Sequence, residues 1–211
     1  MEKVEEEINN WQSSNIQVFW GEIAPYDHLV QIYENNNSFF NTLEGFAGDG
    51  LIKGESVVLV ATAEHLNFLS GRLRVHGFDL DTFMATDQYI PVDANESIAN
   101  FMVNNQVDEA RFNTFIDKIM KRAKKNNQKV RAFGEMKTIL LAGGQTEAAV
   151  KVEKLWHNIQ QQYQICLFCA YPKSIFSKFR SHASIKAICK VHSKIIDGRN
   201  RPSTEIYYKE I

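Results

Sequence analysis

At 211 residues the chain is long enough for one sizeable core and at most one domain with appendages. Its 24 basic and 25 acidic side chains leave a net charge of -1, so no global field draws it to nucleic acid or to an anionic membrane. No run of apolar residues is long enough for a transmembrane helix, the acidic start Glu5-Glu6-Glu7 is unlike a signal peptide, and three cysteines, an odd set, suit a reducing compartment; the expected location is the cytoplasm.

Taken in chain order, residues 1–22 are mostly polar and read as an N-terminal arm or short helix. His28-Leu29-Val30-Gln31-Ile32-Tyr33 has strand composition, and Asn35-Asn36-Asn37-Ser38 supplies turn and capping residues. Phe39, Phe40, Leu43, Phe46 and Ala47 follow at helical spacing, with Gly45, Gly48, Gly50 and Gly54 expected to punctuate the end of that helix. Ser56–Ala61 is apolar on both faces, as a buried parallel strand should be. Thr62 can cap a helix carrying Leu66, Leu69 and Leu73, ended near Gly77. Asp93-Ala94-Asn95-Glu96 resembles a capping box for a helix with Ile98, Phe101 and Met102. A further helix spans about 108–126, its stripe Phe112, Phe115, Ile116, Ile119 and Ala123. Val130–Phe133 is a strand ending in Gly134-Glu135-Met136, followed by helical stretches over 137–142 and 146–162. Ile165–Tyr171 is a second fully apolar strand, stopped by Pro172. Helices are expected near 175–179 and 183–192, and an edge strand at Glu205–Tyr208.

Strands alternating with helices imply a three-layer α/β fold, a mostly parallel sheet with helices on both faces. In such sheets ligands bind beyond the carboxyl ends of the strands, where four places qualify. The turn Ala61-Thr62-Ala63-Glu64-His65 lacks the glycines and lysine of a phosphate-cradling loop, and Glu64 would repel phosphate; Thr62 and His65 either hydrogen-bond a ligand or serve as cap and surface. Glu135 ends a buried strand, where it is a general base or polar anchor, or simply a charge that complements the next helix dipole. His28 and Tyr33 lie five apart, on opposite faces of a strand. Only Tyr33 and Glu34 are then at the carboxyl end, with His28 a structural histidine at the strand entrance. Tyr171 is either a ligand wall or packing.

Cys166 and Cys169 are spaced like a metal-binding pair, but residues three apart in a strand point to opposite faces and cannot chelate one ion together. His182, Cys189 and His192 could share a helix face, yet no fourth ligand lies nearby in sequence, and no metal is expected. The basic stripe Lys118–Lys125 has no aromatic interleaving and reads as a solvated helix face.

Several of these segments together resemble the MEDS domain, the sensory domain of methanogens, methylotrophs and the dichloromethane regulator DcmR. The resemblance runs from about His28 to His192. It rests on His28–Glu34, Gly50–His65, Arg111-Phe112, Val130–Met136, Glu153-Lys154-Leu155-Trp156 and Leu167–Pro172. It implies a P-loop-NTPase topology of the RecA/KaiC type with the phosphate loop lost, and a ligand-sensing role for small, hydrocarbon-like molecules. It implies as pocket residues His28, Tyr33, Glu34, Thr62, His65, Phe133, Glu135, Trp156 and Tyr171.

The organisation expected is an arm over 1–22, a sensory α/β domain over 23–195 and a tail over 196–211. The function expected is a non-catalytic sensor without a cofactor. With no output domain of its own in view, it would signal through a partner such as a histidine kinase or regulator, or as a homo-oligomer. The rivals are an enzyme using Glu135 and His65 as acid and base, a nucleotide-binding regulator, and a pure interaction module.

Overall fold

A computed structural model describes residues 23–24, 26–178, 192–198 and 206–208. In chain order the elements are β1 (His28–Tyr33), α1 (Asn36–Ile52), β2 (Ser56–Ala61), α2 (Ala63–Val75), α3 (Leu80–Ala85), β3 (Tyr89–Asp93) and α4 (Ala94–Phe101). A small hairpin, β4 (Met102–Val103) and β5 (Gln106–Val107), leads to α5 (Glu109–Ala123) and β6 (Val130–Gly134). Then come α6 (Met136–Ala142), α7 (Thr146–Tyr163), β7 (Cys166–Pro172), α8 (Lys173–Lys178), β8 (Lys194–Gly198) and β9 (Ile206–Tyr208).

The sheet runs β3-β2-β6-β7-β1-β8-β9. Every neighbouring pair is parallel except β8 with β9, so the carboxyl ends of six strands lie along one edge. Side chains alternate between the two faces, and each face carries its own core. On one face Leu29, Tyr33, Val57, Leu59, Phe133 and Phe168 pack under α1, α2 and α3. On the other, Val30, Val58, Val60, Ala132, Cys169 and Tyr171 pack under α4 to α7. This is the three-layer α/β arrangement expected. No helix among the described residues is long and apolar enough to cross a membrane.

Capping chemistry starts the helices that flank the site. The Asn35 side chain accepts from Ser38 N–H, Thr62 from His65 N–H, Asp93 from Asn95 and Glu96 N–H, and Asp108 from Arg111 N–H; each satisfies an amide that the helix itself cannot.

Other elements depart from the sequence reading. Helix α1 does not end among its glycines but continues through Gly45, Gly48 and Gly50 to Ile52. Gly50 is there because the sheet is close: a Cβ would stand 2.9 Å from both Arg131 Cδ and Val57 Cγ2. The chain reverses beyond, at Gly54, whose φ of +71° suits glycine. Strand β3 is absent from the sequence reading because it contains Pro91, which the ladder tolerates at a sheet edge, and β3 is such an edge. Strand β8, also unforeseen, pairs with β1, and the border expected between residues 195 and 196 falls within it. The expected edge strand is β9. The arm over 1–22 lies outside the described residues, as does the helix over 183–192 save His192.

One buried ion network ties the amino-terminal edge of the sheet to α1. Arg131 donates to Asp49 at 2.5 Å, to Glu55 and to the Phe46 carbonyl at 3.3 Å. Burial works to lower its pKa, and the carboxylates of Glu55 and Asp49 more than reverse that.

Candidate functional site

The carboxyl edge holds one polar constellation built from two turns, those after β2 and β6. The Glu135 N–H donates to Val60 C=O at 2.8 Å, which extends the β2–β6 ladder by one residue beyond β6. That bond carries the carboxylate over the end of β2. There Glu135 Oε2 accepts the Thr62 N–H at 3.0 Å, and Oε1 lies 2.7 Å from His65 Nδ1. Glu135 occupies the cap position of α6 but makes no side-chain cap bond there; its charge is committed across the sheet to the β2–α2 turn.

Aromatic rings frame the imidazole. Phe39 and Phe40 each place a ring centroid 5.3 Å from that of His65. Phe39 also stacks on Tyr33 at 4.8 Å and meets Phe133 at 5.8 Å. Outward, Phe40 contacts the half-exposed Phe68 at 4.3 Å. The hydrogen bond with Glu135 raises the His65 pKa above its ordinary value; burial opposes this, and the charges of Glu135 and Glu64 add to the rise. Burial, reinforced by the Glu135 charge, raises the Tyr33 hydroxyl too, so it stays a neutral phenol. The result is a small apolar corner with one buried carboxylate and one partly exposed imidazole. Chemically it can orient a small polar-tipped molecule or exchange a proton with it.

Of the nine residues expected to line a pocket, Tyr33, Thr62, His65, Phe133 and Glu135 converge here. Glu34 does not join them: it is exposed and pairs with Lys173. His28, Trp156 and Tyr171 lie across the sheet, on the face beneath α4 to α7. The idea that Tyr171 shares a rim with the Thr62–His65 turn therefore fails, because in β7 the odd-numbered residues face away from α1 and α2. Phe39 and Phe40, read only as core, complete the corner.

Behind the sheet His28 and Tyr171 belong to a second polar cluster. Lys137 of α6, fully buried, pairs with Glu153 of α7 and donates to Cys169 Sγ at 2.7 Å. The Tyr171 hydroxyl donates to Glu153 Oε2 at 2.9 Å. His28 Nε2 and His192 Nε2 lie 3.6 and 3.4 Å from Glu153 Oε1. Burial by itself would raise the Glu153 carboxyl; Lys137 first, then His192 and the Tyr171 hydrogen bond, reverse this and hold it low. Burial pushes the Cys169 thiol up to about 12. Trp156, fully buried, packs edge-on against Phe112 at 6.0 Å and lies under Gly134.

A signal for this cluster was present in the sequence. Glu153 interrupts the helical stripe Ala149, Val152, Trp156, Ile159, and Lys137 shares a face with Leu140 and Leu141, so both charges are aimed at the core. In sequence His192 stands beside His182 and Cys189, which lie outside the described residues. Cys166 and Cys169 do face opposite sides of the sheet.

The sequence model of the MEDS family, described as the MEthanogen/methylotroph, DcmR Sensory domain, matches residues 27–193. Among solved structures, one from Pyrococcus horikoshii OT3, described as a structural study of project PH0250, is similar over 88% of this chain and 88% of its own, with a TM-score of 0.52 and 12% identity. At that identity the likeness is one of fold. No curated protein matches the chain in sequence.

Proposed function

This chain belongs to the MEDS family of sensory domains, and from that premise we propose that it is a non-catalytic sensor of a small, hydrocarbon-like molecule, held at the carboxyl edge of the sheet. The observation that carries this reading is the Glu135 carboxylate, buried yet turned to the β2–α2 turn, beside an imidazole set between Phe39 and Phe40. Apolar walls with a single charged anchor suit a small molecule with one polar end. Occupancy would favour one setting of α1 against α2, two helices already tied by Glu44 to Arg72 and His76. A partner such as a histidine kinase or transcription regulator would read that change.

The strand order, with its antiparallel last strand, supports descent from a RecA/KaiC-type fold. The turns favour a sensor over a nucleotide-binding regulator. Glu34-Asn35-Asn36-Asn37 after β1 and Thr62-Ala63-Glu64-His65 after β2 offer neither glycine nor lysine. After β6 the lysine that is present, Lys137, is buried on Glu153.

Native mass spectrometry of the freshly purified chain, with thermal-shift titration of short halocarbons and alcohols, tests the reading. Glu135→Gln and Phe40→Ala are expected to abolish both the retained mass and the shift. Bare protein with no shift from any of these, or unchanged binding in both variants, refutes it. The 2.7 Å pairing of His65 with Glu135 also suits acid–base work; turnover of a retained molecule, lost in Glu135→Gln, would favour that enzyme reading instead.

A further inference from the structure

We propose that His28, Glu153, Cys169 and His192 form a four-coordinate site for a divalent metal ion of borderline softness, zinc foremost. The four come from separate parts of the chain: β1, α7, β7 and the residue that leads into β8. All four are buried, and one donor atom from each lies within 4.8 Å of the others.

Three of the six donor–donor separations match the edges of a coordination shell, and the other three are no longer than 4.8 Å. Donors bound about 2.0–2.3 Å from a tetrahedral zinc ion lie roughly 3.3–3.8 Å from one another. His28 Nε2 is 3.6 Å and His192 Nε2 3.4 Å from the same carboxylate oxygen, Glu153 Oε1, and Cys169 Sγ is 3.5 Å from His28 Nε2. The two nitrogen–oxygen separations are long for hydrogen bonds, but they are edges of such a tetrahedron. The two imidazoles lie together, their centroids 4.1 Å apart.

The surroundings divide the carboxylate's work. Oε2 is taken by Lys137 and the Tyr171 hydroxyl, which leaves Oε1 turned to the histidines as a single-oxygen ligand. Lys137 also donates to the sulfur, a contact that a metal-bound thiolate keeps. Such outer partners orient ligands and tune their basicity. A mixed set of two nitrogens, a sulfur and an oxygen suits zinc, and also cobalt as its spectroscopic stand-in. The face that holds the cluster carries the core of Val30, Val152 and Trp156, and a further imidazole, that of His157, stacks on His28 at 5.9 Å. The site lies across the sheet from Glu135, so it stands or falls independently of the sensory pocket.

The test uses the full chain, stripped with a chelator and titrated with Co2+ and then Zn2+. The expected result is one Co2+ per chain, with intense visible bands of a tetrahedral ion and a thiolate charge-transfer band in the near ultraviolet, all displaced by Zn2+. Cys169→Ser should lose the charge-transfer band while Cys166→Ser, on the opposite face, keeps it. His28→Gln should weaken Zn2+ binding by about tenfold or more, and Tyr171→Phe, a positioning change, should also weaken it within the roughly 10–100-fold range of outer partners. Circular dichroism of each variant separates loss of a ligand from loss of the fold. Absence of these bands and of stoichiometric Zn2+ uptake in the folded wild-type chain overturns the proposal. So does a charge-transfer band that survives in folded Cys169→Ser.

Discussion

The Glu135–His65 pair makes a pH-dependent contribution to stability whose sign follows from its geometry. Glu135→Gln keeps an acceptor for the Thr62 N–H but removes the charge that faces His65, so together with His65→Gln it forms a double-mutant cycle. The contact is 2.7 Å, with side-chain exposures of 21% for His65 and 6% for Glu135. A hydrogen bond to a charged group contributes about 1.5–3 kcal/mol, and partial exposure of the imidazole places this one near the lower end, about 1.5 kcal/mol, through solvent screening. The folded pKa of His65 is raised, so the folded state binds the proton more tightly than the unfolded chain. The contribution is therefore complete below the ordinary imidazole value of about 6.5 and is lost as pH rises through the folded value. Urea denaturation of the four proteins at pH about 6 and about 9.5 should give a coupling near 1.5 kcal/mol that falls to roughly 0.5 kcal/mol, the net worth of a neutral hydrogen bond. A coupling equal at the two pH values, or one that grows with pH, refutes the assignment of a charged pair.

Three further outcomes are expected. Lys137→Met leaves the Glu153 carboxylate buried without its cation and should cost about 3–5 kcal/mol in chelator-treated protein; adding Glu153→Gln should restore much of this, because an uncompensated charge is the main penalty, and urea midpoints decide it. Trp156→Ala empties a fully buried site beside Phe112 and should cost about 3–5 kcal/mol. Because Trp156 lies across the sheet from Glu135, the folded variant should still bind whatever the Glu135 corner holds, as a thermal-shift titration would show. Gly50→Ala brings a methyl to 2.9 Å from Val57 and Arg131 and should cost about 1–3 kcal/mol through overpacking, measurable as a lowered melting temperature.

What the sequence by itself determined was local. The all-apolar runs at Ser56–Ala61 and around Cys166–Tyr171 read as buried strands by their shortness and β-branched or aromatic content, and Asn35 and Thr62 could start helices because their side chains reach backbone amides three residues on. The twofold period of a strand separated His28 from Tyr33 and Cys166 from Cys169. Tertiary structure decided which faces meet. Period two says which residues of a strand share a side, but not which strand lies alongside or which helix covers it. Only the β1–β7 register, with Val30 opposite Cys169, and α7 crossing beneath bring His28, Glu153 and Cys169 into one cluster. Only the extra β6–β2 hydrogen bond at Glu135 carries its charge to His65. Strand β3, with its proline, and the short β8 lack a strong local pattern, because their place is set by the neighbours they pair with. The nine expected pocket residues mostly gather at two sites on opposite faces, Glu34 apart, since the sheet stands between residues that the sequence had aligned on one rim.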